Sequence, residues 1–245
     1  MSTVFLGFEV QEWEVSDLHS RIGCHIDSGE SAEFFNLNAH AVNLAFADSE
    51  FCEVLRSAKY LFCDGEGVRW AANLRGGSIP RRITYADWAP VFLTWVASQG
   101  YSIFFLGSEP AIIEQAVKQS LKIAPKLRLV GYHDGFSQDQ EVIQKIQKSG
   151  AQILLVGMGM PHQEKWIRKT YEKLPSTVFL PGGAVFDYLS ETVSRAPKMM
   201  RNYGFEWLYR FLLEPRRLFT RYVLGLPLYV FRVLLNRMPR SENRV

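Results

Sequence analysis

Two closely spaced glycines end an apolar run in the stretch LLVGMGMPHQEKWIRK. Gly157 and Gly159 would let the backbone approach a phosphate closely, and a helix beginning at Pro161 would present free N–H groups to it. Gln163 and Glu164 would then lie in the first turn of that helix, at the same edge. The alternative is an ordinary tight turn before a helix, in which Glu164 only complements the helix dipole.

A dinucleotide-binding fingerprint requires a third glycine, in the pattern G-x-G-x-x-G. His162 occupies that third position, and no acidic partner for a ribose is evident after the next apolar run. The stretch therefore disfavours a nicotinamide-dependent oxidoreductase, whereas other phosphate compounds stay compatible with it.

A carboxylate and two amides occur at or near the ends of two other apolar runs. Asp64 closes the run in FCDGEGVRWA, where it could act as a general base toward a hydroxyl within hydrogen-bond reach. The alternative is a common Asp-Gly turn. In FFNLNAHAVNLA, Asn36 and Asn38 alternate on one side of an apolar segment, as polar groups do at a strand end. Asn38 could equally cap the helix that follows.

Three further segments carry residues that suit a phosphate or nucleotide ligand. In IPRRITYADW, Arg82 and Thr84 could contact a phosphate, and Arg82 is well suited to this because a guanidinium binds two oxygens at once. The alternative is a solvated loop. Gly107 ends the apolar run YSIFFLG. Asp187 lies in a first helical turn after TVFLPGG, where it could bind a ligand hydroxyl or N–H, or complement the dipole.

These candidates stand at the ends of short apolar runs that alternate with helical patterns. The predicted strands are 59–63, 101–107, 127–135, 151–157 and 177–183, and the predicted helices are 110–123, 138–148 and one from Pro161. Strands rich in Val, Ile, Leu and Phe that alternate with helices predict an α/β fold, with a parallel sheet covered by helices on both faces. Ligands bind at the carboxyl edge of such sheets, where the candidate residues should meet.

The net charge of +3 conceals two parts of opposite sign. Residues 195–245 hold 11 Lys and Arg against 3 Asp and Glu, whereas residues 1–194 hold 17 against 22. We therefore divide the chain into an α/β core, 1–194, and a basic C-terminal appendage, 195–245. The positive charge of the appendage should attract anions.

Aromatic and leucine side chains alternate with arginines along the appendage. Its apolar run at 223–235 is interrupted by Pro227 and Arg232 and is too short to cross a bilayer, which takes about 20 apolar residues. We rank amphipathic contact with a membrane surface first and packing against the core second. Nucleic acid is third, because the apolar content is high for a nucleic-acid-binding arm.

The cysteine spacing and the N-terminal residues give expectations for the cellular location of the protein and for its cofactors. Cys24, Cys52 and Cys63 have no metal-ligand spacing, and the N-terminal stretch has no basic region and carries acidic residues early. We expect a cytosolic protein with reduced thiols and with no metal or other cofactor.

Six motifs occur in a fixed order: DGEGVRWA, FFLGSEPAIIEQA, LVGYHDGF, LLVGMGMPHQEKWI, GGAVFDYLSETVSRAP and FEWLYRFLLEPRR. This ordered set resembles the bacterial WecG/TagA/CpsF glycosyltransferase family from about residue 5 to residue 222. The resemblance implies an inverting, metal-independent hexosyltransferase with a Rossmann-like core. It implies transfer of a sugar from a UDP-sugar to a polyprenyl-diphosphate-linked sugar, in the synthesis of cell-envelope or exopolysaccharide.

The resemblance also implies partners and a location. The appendage would contact the membrane, which makes the enzyme cytoplasmic and peripheral at the inner face of the plasma membrane. Homo-oligomers of few subunits are expected, and nucleic acid is not an expected partner.

Site residues are implied position by position. Asp64 matches the family's proposed general base, in the DGxG motif, and Asp187 matches the aspartate that approaches the uracil. Asn38, Arg82 and Gln163 match polar residues of the family's site motifs. The appendage arginines implied to face the diphosphates are Arg210, Arg217 and Arg221. Thr84, Gly107, Gly157 and Gly159 complete the predicted substrate-binding residues.

The chain departs from the family pattern at three positions. Asn36 stands where the family often has Thr, His40 where it often has Glu, and Tyr85 where glycine is common. All three lie near the implied acceptor side, so the acceptor sugar is where we expect a difference. The competing hypothesis is a non-catalytic nucleotide-binding membrane adaptor, which would not need Asp64 as a base.

Overall fold

The computed structural model describes residues 1–135, 139–175, 177–202, 204–236 and 238–239. These residues form one eight-stranded sheet with the order β1-β2-β4-β3-β8-β7-β5-β6. The strands are β1 Ser2–Phe5, β2 Phe8–Gln11, β3 Ala32–Leu37, β4 Tyr60–Cys63, β5 Ser102–Gly107, β6 Arg128–His133, β7 Ile153–Gly157 and β8 Val178–Pro181. Every neighbouring pair is parallel except the hairpin β1–β2.

Helices follow most of the strands. The core helices are α1 Val15–Ser28, α2 Ala39–Ala47, α3 Ser49–Ser57, α4 Glu66–Asn73, α5 Tyr85–Gln99, α6 Pro110–Ile123, α7 Asp139–Ser149, α8 His162–Thr170 and α9 Val185–Leu189. The appendage contributes α10 Lys198–Asn202, α11 Glu206–Leu213, α12 Pro215–Phe219 and α13 Gly225–Leu234, with a wide helical turn, Thr220–Leu224, before α13.

The central strands are apolar on both faces because helices cover both. In β3, Phe34 and Phe35 are fully buried and point to opposite sides, as successive strand residues must. Phe35 packs in a cluster with α2, α3, α4, α7 and α8, and Phe34 packs in a cluster with α1, α5, α6 and α9. The sequence prediction of a parallel sheet with helices on both faces is thus confirmed.

Element boundaries differ from the predicted ones in a few places. Helix α8 begins at His162, so Pro161 is the residue before the helix and not its first residue. Strand β6 ends at His133, two residues before the predicted end. The hairpin β1–β2 and helix α5 were not predicted. The predicted helix start at Gln138 and the end of the appendage, 240–245, lie outside the described residues.

The appendage is fastened to the core along α13. The side-chain amide of Asn43, in α2, donates to the Gly225 carbonyl at 2.6 Å. Arg232 Nη1 donates to Asn43 Oδ1 at 2.6 Å, and the Tyr229 hydroxyl donates to the Gly67 carbonyl at 3.0 Å. Packing against the core, ranked second from the sequence, is therefore present.

The appendage also keeps many apolar side chains exposed. They include Phe205, Leu212, Leu213, Phe219, Leu224, Phe231 and Leu234. No helix among the described residues combines the length and the apolar character needed to cross a membrane.

Candidate active site

Four adjacent strands, β4, β3, β8 and β7, bring polar groups together at their carboxyl ends. Asp64 follows β4, and its backbone N–H donates to the Leu37 carbonyl of β3 at 2.9 Å. Asn36 Nδ2 donates to Asp64 Oδ2 at 2.8 Å, and Asn38 Nδ2 donates to the same oxygen at 3.3 Å. Asp64 Oδ1 accepts no hydrogen bond from the described residues, so this oxygen is available to a ligand proton.

Asn38 has two roles at once. Its Oδ1 accepts from the Ala41 N–H at 2.9 Å and caps α2, while its amide nitrogen reaches Asp64. The capping and site interpretations of this residue, which were alternatives in the sequence, are compatible because the two ends of one amide serve them separately.

The environment of Asp64 suits a base. Burial raises the pKa of this carboxyl, and the two asparagine amides and the charges of Arg221 and Arg82 oppose that rise. The net shift is upward, which makes the carboxylate a stronger proton acceptor than an exposed aspartate.

Arg221, in the turn before α13, lies near Asp64 and His40. Burial, followed by the charge of Arg221, lowers the pKa of His40 to about 4, so that this imidazole is neutral at pH 7. Arg221 has no carboxylate within ion-pair distance among the described residues, and its buried Nε has no hydrogen-bond partner there. Its guanidinium therefore has an unused donor, next to Asp64, that a ligand anion could accept from.

Arg82 and Thr84 are held by neighbours. Arg82 Nε lies 3.3 Å from Glu66 Oε1, and Arg82 Nη2 donates to the carbonyl of Arg201, in α10, at 2.8 Å. The Thr84 hydroxyl donates to Asp87 Oδ2 at 3.0 Å. Arg82 thus links the core to the appendage beside Asp64, whereas Thr84 is engaged at the start of α5.

The predicted glycine loops differ in what each glycine does. A Cβ on Gly107 would lie 2.5 Å from the Gly157 carbonyl oxygen, and a Cβ on Gly157 would lie 2.5 Å from the Phe186 ring. These two glycines therefore allow the ends of β5, β7 and α9 to pack closely. Gly159 has open space around it and a φ of +78°, so its need for glycine comes from its backbone conformation alone.

Gln163 lies beneath these loops, with no exposed surface. Its Oε1 accepts from the N–H of Gly159 at 3.2 Å and from the N–H of Gly183 at 3.0 Å. Its Nε2 donates to Glu164 Oε1 at 2.8 Å. Gln163, predicted to bind substrate, therefore ties together the loops after β7 and β8.

Glu164 is fully buried and is not a surface acid at a helix start. Burial raises its pKa to about 7, against the hydrogen bond from Gln163. Its Oε2, the hydroxyl of Tyr85 and Oδ1 of Asn36 are buried atoms without hydrogen-bond partners among the described residues. Burial, then the charges of Asp64 and Glu164, raise the pKa of Tyr85 far above its usual value. Sequence analysis singled out Asn36, Tyr85 and Glu164, but it did not predict that Glu164 is buried.

A second group of predicted residues gathers around α9. Burial raises the pKa of Asp187, and the charges of Arg210 and Arg217 act in the opposite direction. The Arg210 guanidinium lies 5.1 Å from the centre of the Tyr188 ring, and Arg217 forms an ion pair with Glu214. The structure therefore places Asp187 with two appendage arginines and Asp64 with the third.

The described residues include no group of three or more His, Cys, Asp or Glu side chains arranged to hold a metal ion. Cys63 precedes Asp64 and is buried, and burial, followed by the nearby carboxylates, raises the pKa of its thiol.

Comparison with known proteins assigns the family. The model of the glycosyl transferase WecG/TagA/CpsF family matches residues 3–243. A relative from Bacillus subtilis (strain 168), named N-acetylglucosaminyldiphosphoundecaprenol N-acetyl-beta-D-mannosaminyltransferase, is 30% identical over 211 residues, 86% of this chain and 82% of the relative. A relative of the same name from Bacillus spizizenii (strain ATCC 23059 / NRRL B-14472 / W23) is 31% identical over 211 residues, 86% of this chain and 81% of the relative. The resemblance found in the sequence is confirmed: this chain belongs to the WecG/TagA/CpsF family and is a glycosyltransferase.

Proposed function

We propose that this enzyme transfers a sugar from a UDP-sugar to a polyprenyl-diphosphate-linked sugar, with inversion at the anomeric carbon, in the synthesis of a cell-envelope polysaccharide or exopolysaccharide. The observation that carries this proposal is Asp64, a carboxylate held by two amides at the carboxyl edge with one oxygen left for a ligand. The names of the two relatives, which specify a sugar on diphosphoundecaprenol as acceptor, support the same class of substrate.

In the proposed reaction Asp64 acts as general base. An acceptor hydroxyl attacks the anomeric carbon from the face opposite UDP, and its proton passes to Asp64. The new C–O bond forms as the bond from the anomeric carbon to the UDP oxygen breaks. General-base assistance of this kind contributes roughly 10²–10⁴-fold to the rate.

The leaving UDP gains negative charge, which arginines would stabilise without a metal. Arg221 is the first candidate, because it lies near Asp64 and has no carboxylate of the described residues within ion-pair distance. Arg210 and Arg217 would act on a diphosphate near Asp187, and Asp187 itself would accept from the uracil N–H. Gln163 would act through the Gly159 and Gly183 loops that it holds.

The other residues predicted to bind substrate have more limited roles in this proposal. Gly107, Gly157 and Gly159 would shape the edge on which the donor diphosphate lies. Thr84 would act on substrate only after release from Asp87. The chain-specific residues Asn36 and His40 would adjust the acceptor side.

In this proposal the C-terminal appendage, residues 195–245, is the part of the enzyme that contacts the membrane. Exposed leucines and phenylalanines interspersed with arginines suit the surface of an anionic bilayer. The enzyme would thus be peripheral at the inner face of the plasma membrane, with its site turned toward the lipid-linked acceptor. Homo-oligomer formation stays a prediction, which light scattering of the purified protein would test.

The test is UDP release from a panel of UDP-sugars, with and without synthetic polyprenyl-diphosphate-linked sugars. We expect acceptor-dependent release by the wild type and a loss of roughly 10²–10⁴-fold in Asp64→Asn. Asp27→Asn, on the exposed end of α1, is the matched control. Equal release by Asp64→Asn and the wild type would place the base elsewhere. Binding of UDP without release from any pair would favour the adaptor hypothesis.

A further inference from the structure

A cavity of about 470 Å³ lies between α4, the segment before α5, and α10. Its lining is rich in cations: Arg69, Arg81, Arg82, Lys198 and Arg201. Two carboxylates, Glu66 and Asp87, also line it.

These two carboxylates neutralise the five cations only in part. Glu66 is shared by Arg69, at 2.7 Å, and Arg82, at 3.3 Å. Asp87 is shared by Arg201, at 3.0 Å, and by Arg195, at 2.7 Å. Each carboxylate is therefore paired with two guanidinium groups, and one negative charge is shared by two positive ones.

Arg81 and Lys198 have no ion-pair partner among the described residues, and both are exposed. Their like charges face one concave surface. Such an arrangement attracts an anion, and guanidinium groups are well shaped to bind phosphate oxygens in pairs.

The position of the cavity relates it to the reaction. The Ile83 N–H donates to the Cys63 carbonyl at 2.8 Å, so the segment before α5 runs along the end of β4, next to Asp64. In the sheet, β3 separates β4 from β8, which leads to Asp187. The cavity and Asp187 are thus associated with different strands, and Asp64 lies on the cavity's strand.

The two helices that line the cavity, α4 and α10, each also carry an exposed apolar side chain outside its lining. Trp70 follows Arg69 in α4 and is 55% exposed, and Met199 follows Lys198 in α10 and is 74% exposed. A cationic cavity bordered by elements that carry exposed apolar residues suits a phosphate attached to a hydrocarbon.

We propose that this cavity binds a diphosphate, and that it takes the diphosphate of the lipid-linked acceptor, not that of the nucleotide donor. The inference rests on the proposed transferase function and adds a second anion site to it. The acceptor hydroxyl would then reach Asp64 from the β4 side of the edge, while the nucleotide occupies the side of Asp187.

The test measures binding without turnover, by titration calorimetry of the full chain with farnesyl diphosphate and, separately, with UDP. The variant is Arg81→Gln/Lys198→Gln, which removes two exposed charges and leaves the Glu66 and Asp87 ion pairs in place. The matched control is Lys118→Gln/Lys122→Gln, the same charge change on the exposed face of α6.

We expect farnesyl diphosphate to bind roughly tenfold more weakly to the cavity variant, equivalent to about 1.4 kcal/mol, with UDP affinity unchanged. Weaker UDP binding with unchanged farnesyl diphosphate binding would assign the cavity to the donor and overturn the proposal. Equal losses in the cavity and control variants, or no loss in either, would also overturn it. A missing UDP-release activity would count against the transferase function alone, because this binding test needs no turnover.

Discussion

At the scale of single residues, the two amides on Asp64 set how well it can act as a base. Both donate to Oδ2 and stabilise the carboxylate, so they hold down a pKa that burial raises. Asn36→Ala should therefore raise the pKa of Asp64 further and move the acidic limb of kcat/KM to higher pH. A pH profile of UDP release checks this.

Asn38→Ser refines that experiment, because serine keeps a helix cap but loses the amide donor. We expect the same direction of shift as in Asn36→Ala, with little loss of stability. An acidic limb that stays in place in both variants would mean that the amides do not control the ionisation of Asp64.

Glu164 gives a prediction about stability and pH. Its pKa is about 7 in the folded chain, against a usual value of 4.5. Between these pH values the unfolded chain loses the proton while the folded chain keeps it, so the free energy of unfolding falls as pH rises, by about 3 kcal/mol in total. Glu164→Gln should lack this decline and be the more stable protein above pH 7.

Urea unfolding of wild type and Glu164→Gln at several pH values measures the difference. The gap should widen from about pH 4.5 to about 7 and stay constant above that, with exposed Glu114→Gln as control for the substitution type. Parallel profiles would show that Glu164 is ionised in the folded chain.

The sequence predicted Asp64 and Asn38 as candidates because each stands at the end of an apolar run. It could not predict that Glu164 is buried, since a glutamate in a first helical turn is usually exposed. Its burial is a tertiary effect: its neighbour and hydrogen-bond partner Gln163 is joined to the loop after β8, where the Gly183 N–H donates to Gln163 Oε1.

At the scale of elements, the close approach of β5 and β7 at the site edge depends on glycine. Gly107 has a φ of +122°, and an added Cβ would meet the backbone of Gly157. Gly150, before β7, has a φ of +62° but open space. Gly150→Ala should cost about 1–2 kcal/mol of backbone strain, and Gly107→Ala about 3 kcal/mol or more, because strain and a backbone clash add.

Thermal unfolding of the two variants tests this comparison. We expect Gly107→Ala also to weaken UDP binding, since Ser108 N–H donates to the Gly157 carbonyl at 3.0 Å and couples the two loops. Equal destabilisation of the two variants would contradict the role of close packing at this edge.

Strands β5 and β7 were predictable because they are buried throughout and read as continuous apolar runs. The hairpin β1–β2 was not, because its two four-residue strands are partly exposed and mix polar with apolar residues. It joins the sheet through β2 and β4, a contact between distant segments that local sequence patterns do not reveal.

At the scale of the whole molecule, charge distribution predicted the appendage as a separate basic segment. It did not predict how α13 attaches to α2, because that depends on one polar residue, Asn43, within a largely apolar helix. The same attachment places Arg221 near Asp64, so the structure links the appendage to the site through specific contacts.

Deletion of residues 196–245 should therefore abolish turnover while leaving a folded core. The deletion removes Arg210, Arg217 and Arg221 from the site edge, and it removes the exposed apolar side chains that would contact lipid. Because Tyr229 and Arg232 pack on the core, we also expect the melting temperature to fall by several degrees, at about 2–4 °C for each kcal/mol lost.

Circular dichroism melting measures the stability of the deleted form, UDP release measures its turnover, and sedimentation with phosphatidylglycerol vesicles measures its membrane binding. The full chain should bind these vesicles, more weakly at high salt, whereas the deleted form should not. Full activity of the deleted form would remove the appendage from the mechanism, and unchanged vesicle binding would move the membrane contact to the core.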